Sequence, residues 1–232
     1  RYASHFGFGE DTGLGMNEQA GRVDSRDQHP EYHTGHALNA AIGQGRTLVT
    51  VLQLAVAYAA IANGGSLYRP QIIRRVESPN GDVIREYPPE LRRQLDIAPE
   101  HLAIVREALI GVIHDPLGTA HGQGELQIEA AGKTGTAEVP HRRPPTGETP
   151  RRLSRWFFNR DHGWFAGFAP AENPQIAIAV LIEHGGAGGR SAAPVALRVF
   201  RDYFNEIAPI QATLTDTDEE LQEALDAVDE EE

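Results

Sequence analysis

The chain has 232 residues, with 40% hydrophobic content, 24 glycines and 15 prolines, which suits one large globular domain or two small ones with many turns. It has no cysteine, which excludes disulfides, thiol nucleophiles and cysteine-based metal sites. The net charge of -12 is uneven: ten of the 33 acidic residues fall between Asp216 and Glu232, where there is no basic residue, so the body is nearly neutral and nucleic-acid binding is not expected.

Residues 1–35 are rich in Gly, Asp, His and Glu and predict loops with short helical pieces. Thr50 to Asn63, TVLQLAVAYAAIAN, predicts a buried helix, capped by threonine and stopped by Gly64-Gly65. Gln71 to Glu77 and Val83 to Tyr87 are β-rich runs flanking Pro79-Asn80-Gly81-Asp82, which predicts a hairpin. Pro99 to His114 predicts an amphipathic helix with Leu102, Val105, Leu109 and Ile113 on one face. Gly163 to Phe168 and Ile176 to Glu183 predict two strands, antiparallel because their connection is short. Val195 to Ile207 predicts a last helix with Val199, Phe200, Tyr203 and Phe204 facing inward. The acidic tail, residues 208–232, is expected to be disordered. The fold class is α+β, an antiparallel sheet with helices packed on it.

Arg142, Arg143, Arg151, Arg152, Arg155 and Arg160 cluster among Pro144, Pro145 and Pro150. They predict a solvated basic loop, with docking to an anionic partner as the sharper alternative. No apolar run is long enough to span a membrane, and the N-terminus lacks the pattern of a signal peptide. The chain opens on Arg1 rather than Met and is expected to be a piece of a longer protein.

Chemistry concentrates in Glu129 to Glu138, EAAGKTGTAE. Lys133 is the only lysine; the other twenty basic residues are arginine. A phosphate-binding loop would need glycine five positions before Gly132, where Gln127 stands, and a helix afterwards rather than a β-like segment. A structural lysine at a strand start is the plainer alternative. The isolation of Lys133 argues for a site that needs a compact ammonium with an adjustable pKa, which a guanidinium does not provide. Lys-Thr-Gly-Thr also suits one wall of an acyl-transfer site. There the threonine hydroxyls can hold a carboxylate, Gly135 lets a substrate backbone approach, and a following N–H can face a developing oxyanion.

Several stretches together resemble the class B penicillin-binding proteins, closest to the cell-elongation type, and match the C-terminal part of the transpeptidase domain. They are FGFGEDTGL (Phe6 to Leu14), AAIGQGRTLVTVLQLAVAYAAIANGG (Ala40 to Gly65), Lys133-Thr134-Gly135-Thr136, DHGWFAGFAP (Asp161 to Pro170) and ENPQIAIAVLIEHGGAGG (Glu172 to Gly189). The resemblance covers roughly residues 1–207. It implies a periplasmic, membrane-anchored enzyme whose anchor is not in this chain. That enzyme would cross-link stem peptides ending in D-Ala-D-Ala through a serine acyl-enzyme, which β-lactams would also form.

By this resemblance Lys133 would supply the electrostatic contact and assist proton transfer, and Thr136 would lend its N–H to the oxyanion hole. Thr134 and Thr136 would bind the carboxylate, while Gly135 would allow close approach. Gly43, Gln44 and Gly45 would shape the cleft. No cofactor or metal is implied, and His36, His162 and His184 lack helical ligand spacing. Trp164 and Phe165 are expected to be core or cleft lining. Expected partners are peptidoglycan stem peptides, β-lactams and a membrane glycosyltransferase or elongation complex.

The family's Ser-x-x-Lys nucleophile is absent: with Lys133 as the only lysine, the serine would have to be at position 130, which is Ala130. Ser78-Pro79-Asn80 has the form of the Ser-x-Asn motif but falls in the predicted hairpin turn. Both motifs are expected upstream of Arg1, leaving this piece inactive alone and its sheet edge open to self-association. The alternatives are a non-catalytic scaffold with the same fold, or a β-lactamase or β-lactam sensor.

Overall fold

A computed structural model describes residues 2–26, 31–139, 160–207 and 209. The acidic run from Asp216 and the loop arginines other than Arg160 lie outside the described residues. The predicted α+β architecture is present. Its centre is a three-stranded antiparallel sheet of β5 (Ala131–Ala137), β6 (His162–Ala169) and β7 (Ile176–Ile182), in that order. Two smaller antiparallel pairs accompany it. One joins β1 (Ser66–Tyr68) to β4 (Leu91–Gln94); the other joins β2 (Arg75–Glu77) to β3 (Val83–Glu86) as the predicted hairpin.

Helices cover both faces of the central sheet because its side chains alternate between two apolar sets. On one face Phe165 packs with Leu197 and Phe200, which lie on α6 (Ala193–Asp202). On the other, Ala131 and Phe168 pack with Ala62 and Leu109. These come from α3 (Val51–Ala62) and α4 (Pro99–His114). Phe165, Phe168 and Phe200 have no exposed surface, and burying each such ring contributes roughly 2–3 kcal/mol.

Helix α3 starts where the sequence places it. Thr50 Oγ1 accepts from Gln53 N, while Gln53 Oε1 accepts from Thr50 N, a reciprocal capping box. Gln53 is almost wholly buried, and its Nε2 also donates to the carbonyls of Glu10 and Ala20, at 2.8 and 2.7 Å. One side chain thus caps the helix and pins the N-terminal segment to it. Within that segment lie two short helices, α1 (Tyr2–His5) and α2 (Thr34–Ala41), and the described residues between them belong to no helix or named strand. Glu18 holds a turn there by accepting from Thr12 Oγ1, Thr12 N and Leu14 N. Chiefly the Thr12 hydroxyl lowers the Glu18 pKa, against a smaller opposing effect of desolvation.

Two predicted helix faces need correction. In α4 the buried stripe is Leu102, Leu109 and Ile113, while Val105 is 42% exposed. Arg106 takes the intervening position, its guanidinium donating to the carbonyls of Ala171 and Glu172 and lying 5.8 Å from the Phe168 ring centroid. Arg106 is half-buried there, beside the valine that the pattern assigned to the core. The last helix is also interrupted. A short α5 (Gly188–Ser191) leads into α6 at Ala192, and a π-helical turn (Tyr203–Ile207) ends it. Its inward face is Ala193, Ala196, Leu197 and Phe200, with Phe204 packed alongside, and Val199 is 40% exposed.

Candidate active site

The lysine stretch is the outer strand of the central sheet. Lys133 pairs with Ala166, Thr134 with Phe165, Gly135 with Trp164 and Thr136 with Gly163. Lys133 therefore sits in mid-strand, where no helix begins, and a phosphate-binding loop is ruled out. Gly132 is required by packing, because a Cβ there would meet Phe165 Cζ at 2.3 Å. A Cβ at Gly135 would meet Trp164 Cβ at 3.2 Å, a tight approach on the opposite face.

Antiparallel pairing sends the N–H and C=O groups of alternate residues to opposite edges. Three contacts identify the residues that face outward. Gln44 Nε2 donates to the Thr136 carbonyl at 2.8 Å, Gln44 Oε1 accepts from Glu138 N at 3.2 Å, and Lys133 Nζ donates to the Thr134 carbonyl at 2.7 Å. The backbone groups of Thr134, Thr136 and Glu138 thus point away from β6. The lysine side chain leaves one face of the sheet, but its ammonium reaches the strand's outer edge.

The threonine side chains share the other face. Thr134 Oγ1 is 2.6 Å from Thr119 Oγ1, in the loop after α4, and either hydroxyl can donate. Thr136 Oγ1 accepts a long, 3.4 Å bond from Gly188 N at the start of α5. A hydroxyl that accepts on one side still has its own proton to give. One edge therefore gathers an ammonium, hydroxyl donors and an outward N–H, a set suited to an anionic, extended peptide end.

The other expected residues fall as follows. Phe165 is core, and Trp164 is half-buried. His162 Nδ1 accepts from His184 N at 2.9 Å, the two rings meeting edge-on. His36 stacks on His33 in α2, away from that pair in the sequence. Ser78-Pro79-Asn80 is turn structure: Ser78 Oγ accepts from Asn80 N and Asp82 N, between β2 and β3. Sequence reasoning missed Thr119 and the direct contact of Gln44 with β5. Gly43-Gln44-Gly45 carried a signal through its glycines, with φ of +75° and +100° at Gly43 and Gly45. Thr119, in the irregular run DPLGTAHG, carried none.

Residues 1–201 match the family described as the penicillin binding protein transpeptidase domain. The chain is 36% identical over 210 residues to the peptidoglycan D,D-transpeptidase MrdA of Acinetobacter baumannii, covering 88% of this chain and 30% of that protein. It is 30% identical over 215 residues to MrdA of Salmonella typhimurium, covering 87% and 33%. Among solved structures, Pseudomonas aeruginosa PBP2 in complex with WCK 5153 matches with a TM-score of 0.68 and 32% identity, covering 88% of this chain and 41% of that one. PBP2 of Helicobacter pylori, solved in complex with MreC, matches with a TM-score of 0.68 and 27% identity, covering 87% and 34%. The chain spans about a third of the length of the curated relatives it matches.

Proposed function

Because the chain belongs to the transpeptidase-domain family of penicillin-binding proteins, we propose that it is the C-terminal part of a peptidoglycan D,D-transpeptidase. The reading rests on one observation above all: the outer edge of β5 gathers the Lys133 ammonium, the Thr134 and Thr136 hydroxyls and outward-facing backbone groups. A stem peptide ending in D-Ala-D-Ala would lie along this edge as an added strand, taking the place of Gln44 at the Thr136 carbonyl and of Lys133 at the Thr134 carbonyl. Its carboxylate would accept hydrogen bonds from the Thr134 and Thr136 hydroxyls, and Gly135 would let its backbone approach. The Thr136 N–H would face the oxyanion of the tetrahedral intermediate, a contact worth roughly 3–4 kcal/mol in acyl-transfer enzymes. Lys133 would stabilise the anionic substrate and assist proton movement to and from a serine nucleophile supplied by sequence outside these residues.

β-Lactams, which carry a similarly placed carboxylate, would occupy the same edge and acylate the same serine. By analogy with the Helicobacter pylori protein solved with MreC, the intact protein would work with an elongation-complex partner at the periplasmic face of the cytoplasmic membrane. No helix among the described residues is long and apolar enough to cross a membrane.

The test is labelling with a fluorescent penicillin followed by intact-mass analysis. The 232-residue chain would be compared with a form extended upstream through Ser-x-x-Lys and Ser-x-Asn motifs. One covalent adduct on the extended form alone is expected. An adduct on any serine of the shorter chain would overturn the assignment of roles. No adduct on a folded extended form would favour a non-catalytic scaffold.

A further inference from the structure

We propose that Thr119 is a positioning residue for carboxylate recognition: its hydroxyl donates to Thr134 and so turns the Thr134 proton toward the substrate. The proposal rests on the transpeptidase reading of β5. Thr119 and Thr134 are 15 positions apart, and their hydroxyl oxygens lie 2.6 Å from each other. Each has one proton, so only one can donate across this contact. An anion arriving at Thr134 selects the order, because both dipoles then align toward the negative charge, and bonds in such a chain polarise one another. Thr119 thus strengthens a donor that touches the substrate without touching the substrate itself.

The loop is built to hold Thr119 still. Asp115 ends α4, its side chain accepting from Leu117 N and its carbonyl from Gly118 N. Gly118 lies directly on the helix end, where a Cβ would meet the carbonyls of Val112 and Gly111 at 2.4 and 2.5 Å. Ala120 has no exposed surface, and its N–H donates to the Val112 carbonyl at 3.0 Å. Thr119, exposed between these two anchored neighbours, also backs onto α5, where a Cβ on Gly189 would meet its carbonyl at 2.3 Å. The hydroxyl is therefore preorganised, which spares the ordering cost when the anion binds.

The experiment uses the extended, nucleophile-bearing form and two versions of one penicillin, the free carboxylate and its methyl ester. Second-order acylation constants would be measured for wild type, Thr119→Val and Thr119→Ser. Valine keeps the shape and removes the hydroxyl; serine keeps the hydroxyl. Thr119→Val is expected to lower the constant for the carboxylate about tenfold, the upper end of the range for a hydrogen bond between neutral groups. The ester's constant should stay within about twofold, and Thr119→Ser should retain the carboxylate preference. An equal loss for both penicillins would mean a purely structural role and overturn the proposal, as would no change for either. If wild type is not acylated at all, the transpeptidase reading fails and takes the proposal with it. Acylation with undiminished carboxylate preference in Thr119→Val removes the Thr119 role alone.

Discussion

Lys133 is exposed, and under the proposed function its ammonium has a role that arginine would not fill. Its Nζ donates to the Thr134 carbonyl at the strand edge, where arginine would place a larger, planar group that does not give up its proton. Lys133→Arg in the extended form should therefore keep the fold but slow penicillin acylation by about 10²-fold or more, the scale of lost proton-transfer assistance; stopped-flow labelling would check it. Glu18 makes a different prediction. Its folded pKa lies below the ordinary glutamate value, so its contribution to stability is present above the unfolded pKa. It is lost as pH falls through the folded pKa. The melting-temperature gap between wild type and Glu18→Gln should be open at neutral pH and close on acidification. The lone lysine was legible because composition alone isolates it. Thr119 was not, because a contact between hydroxyls on a loop and a strand leaves no periodic trace.

Among the elements, those with local signals were the ones the sequence made plain. The ends of α3 follow from Thr50, Gln53 and Gly64-Gly65, and α4 spans the predicted residues. Faces were harder to assign, since Val105 is exposed while the half-buried Arg106 beside it meets the Ala171 carbonyl. The short α5 was missed altogether, although it braces the site. A Cβ at Gly188 would meet the carbonyls of Gly135 and Trp164 at 2.2 and 2.3 Å, so only glycine lets this helix start against the β5–β6 pair. Gly188→Ala should cost about 1–3 kcal/mol by overpacking against backbone that cannot yield, measured by urea unfolding. It should also displace the N–H that meets Thr136 Oγ1 and slow acylation of the extended form.

Over the whole molecule, two helical layers hold a sheet in which, among the described residues, β7 pairs with β6 alone. An unpaired strand edge is a template for another chain, so the 232-residue chain should self-associate at micromolar concentration. Sedimentation velocity would detect this, and a monomer at all concentrations would refute it. The architecture was legible because alternation and turn chemistry are local, whereas the pairing of Gln44 with β5 spans more than ninety positions and depends on tertiary placement. The twenty arginines and single lysine have a practical consequence as well. Isotope-labelled lysine would put one side-chain amine resonance into the spectrum of this chain, needing no assignment and reporting directly from the edge of β5. If the proposed function holds, this chain carries its own spectroscopic probe, already installed where a bound peptide or penicillin would be felt.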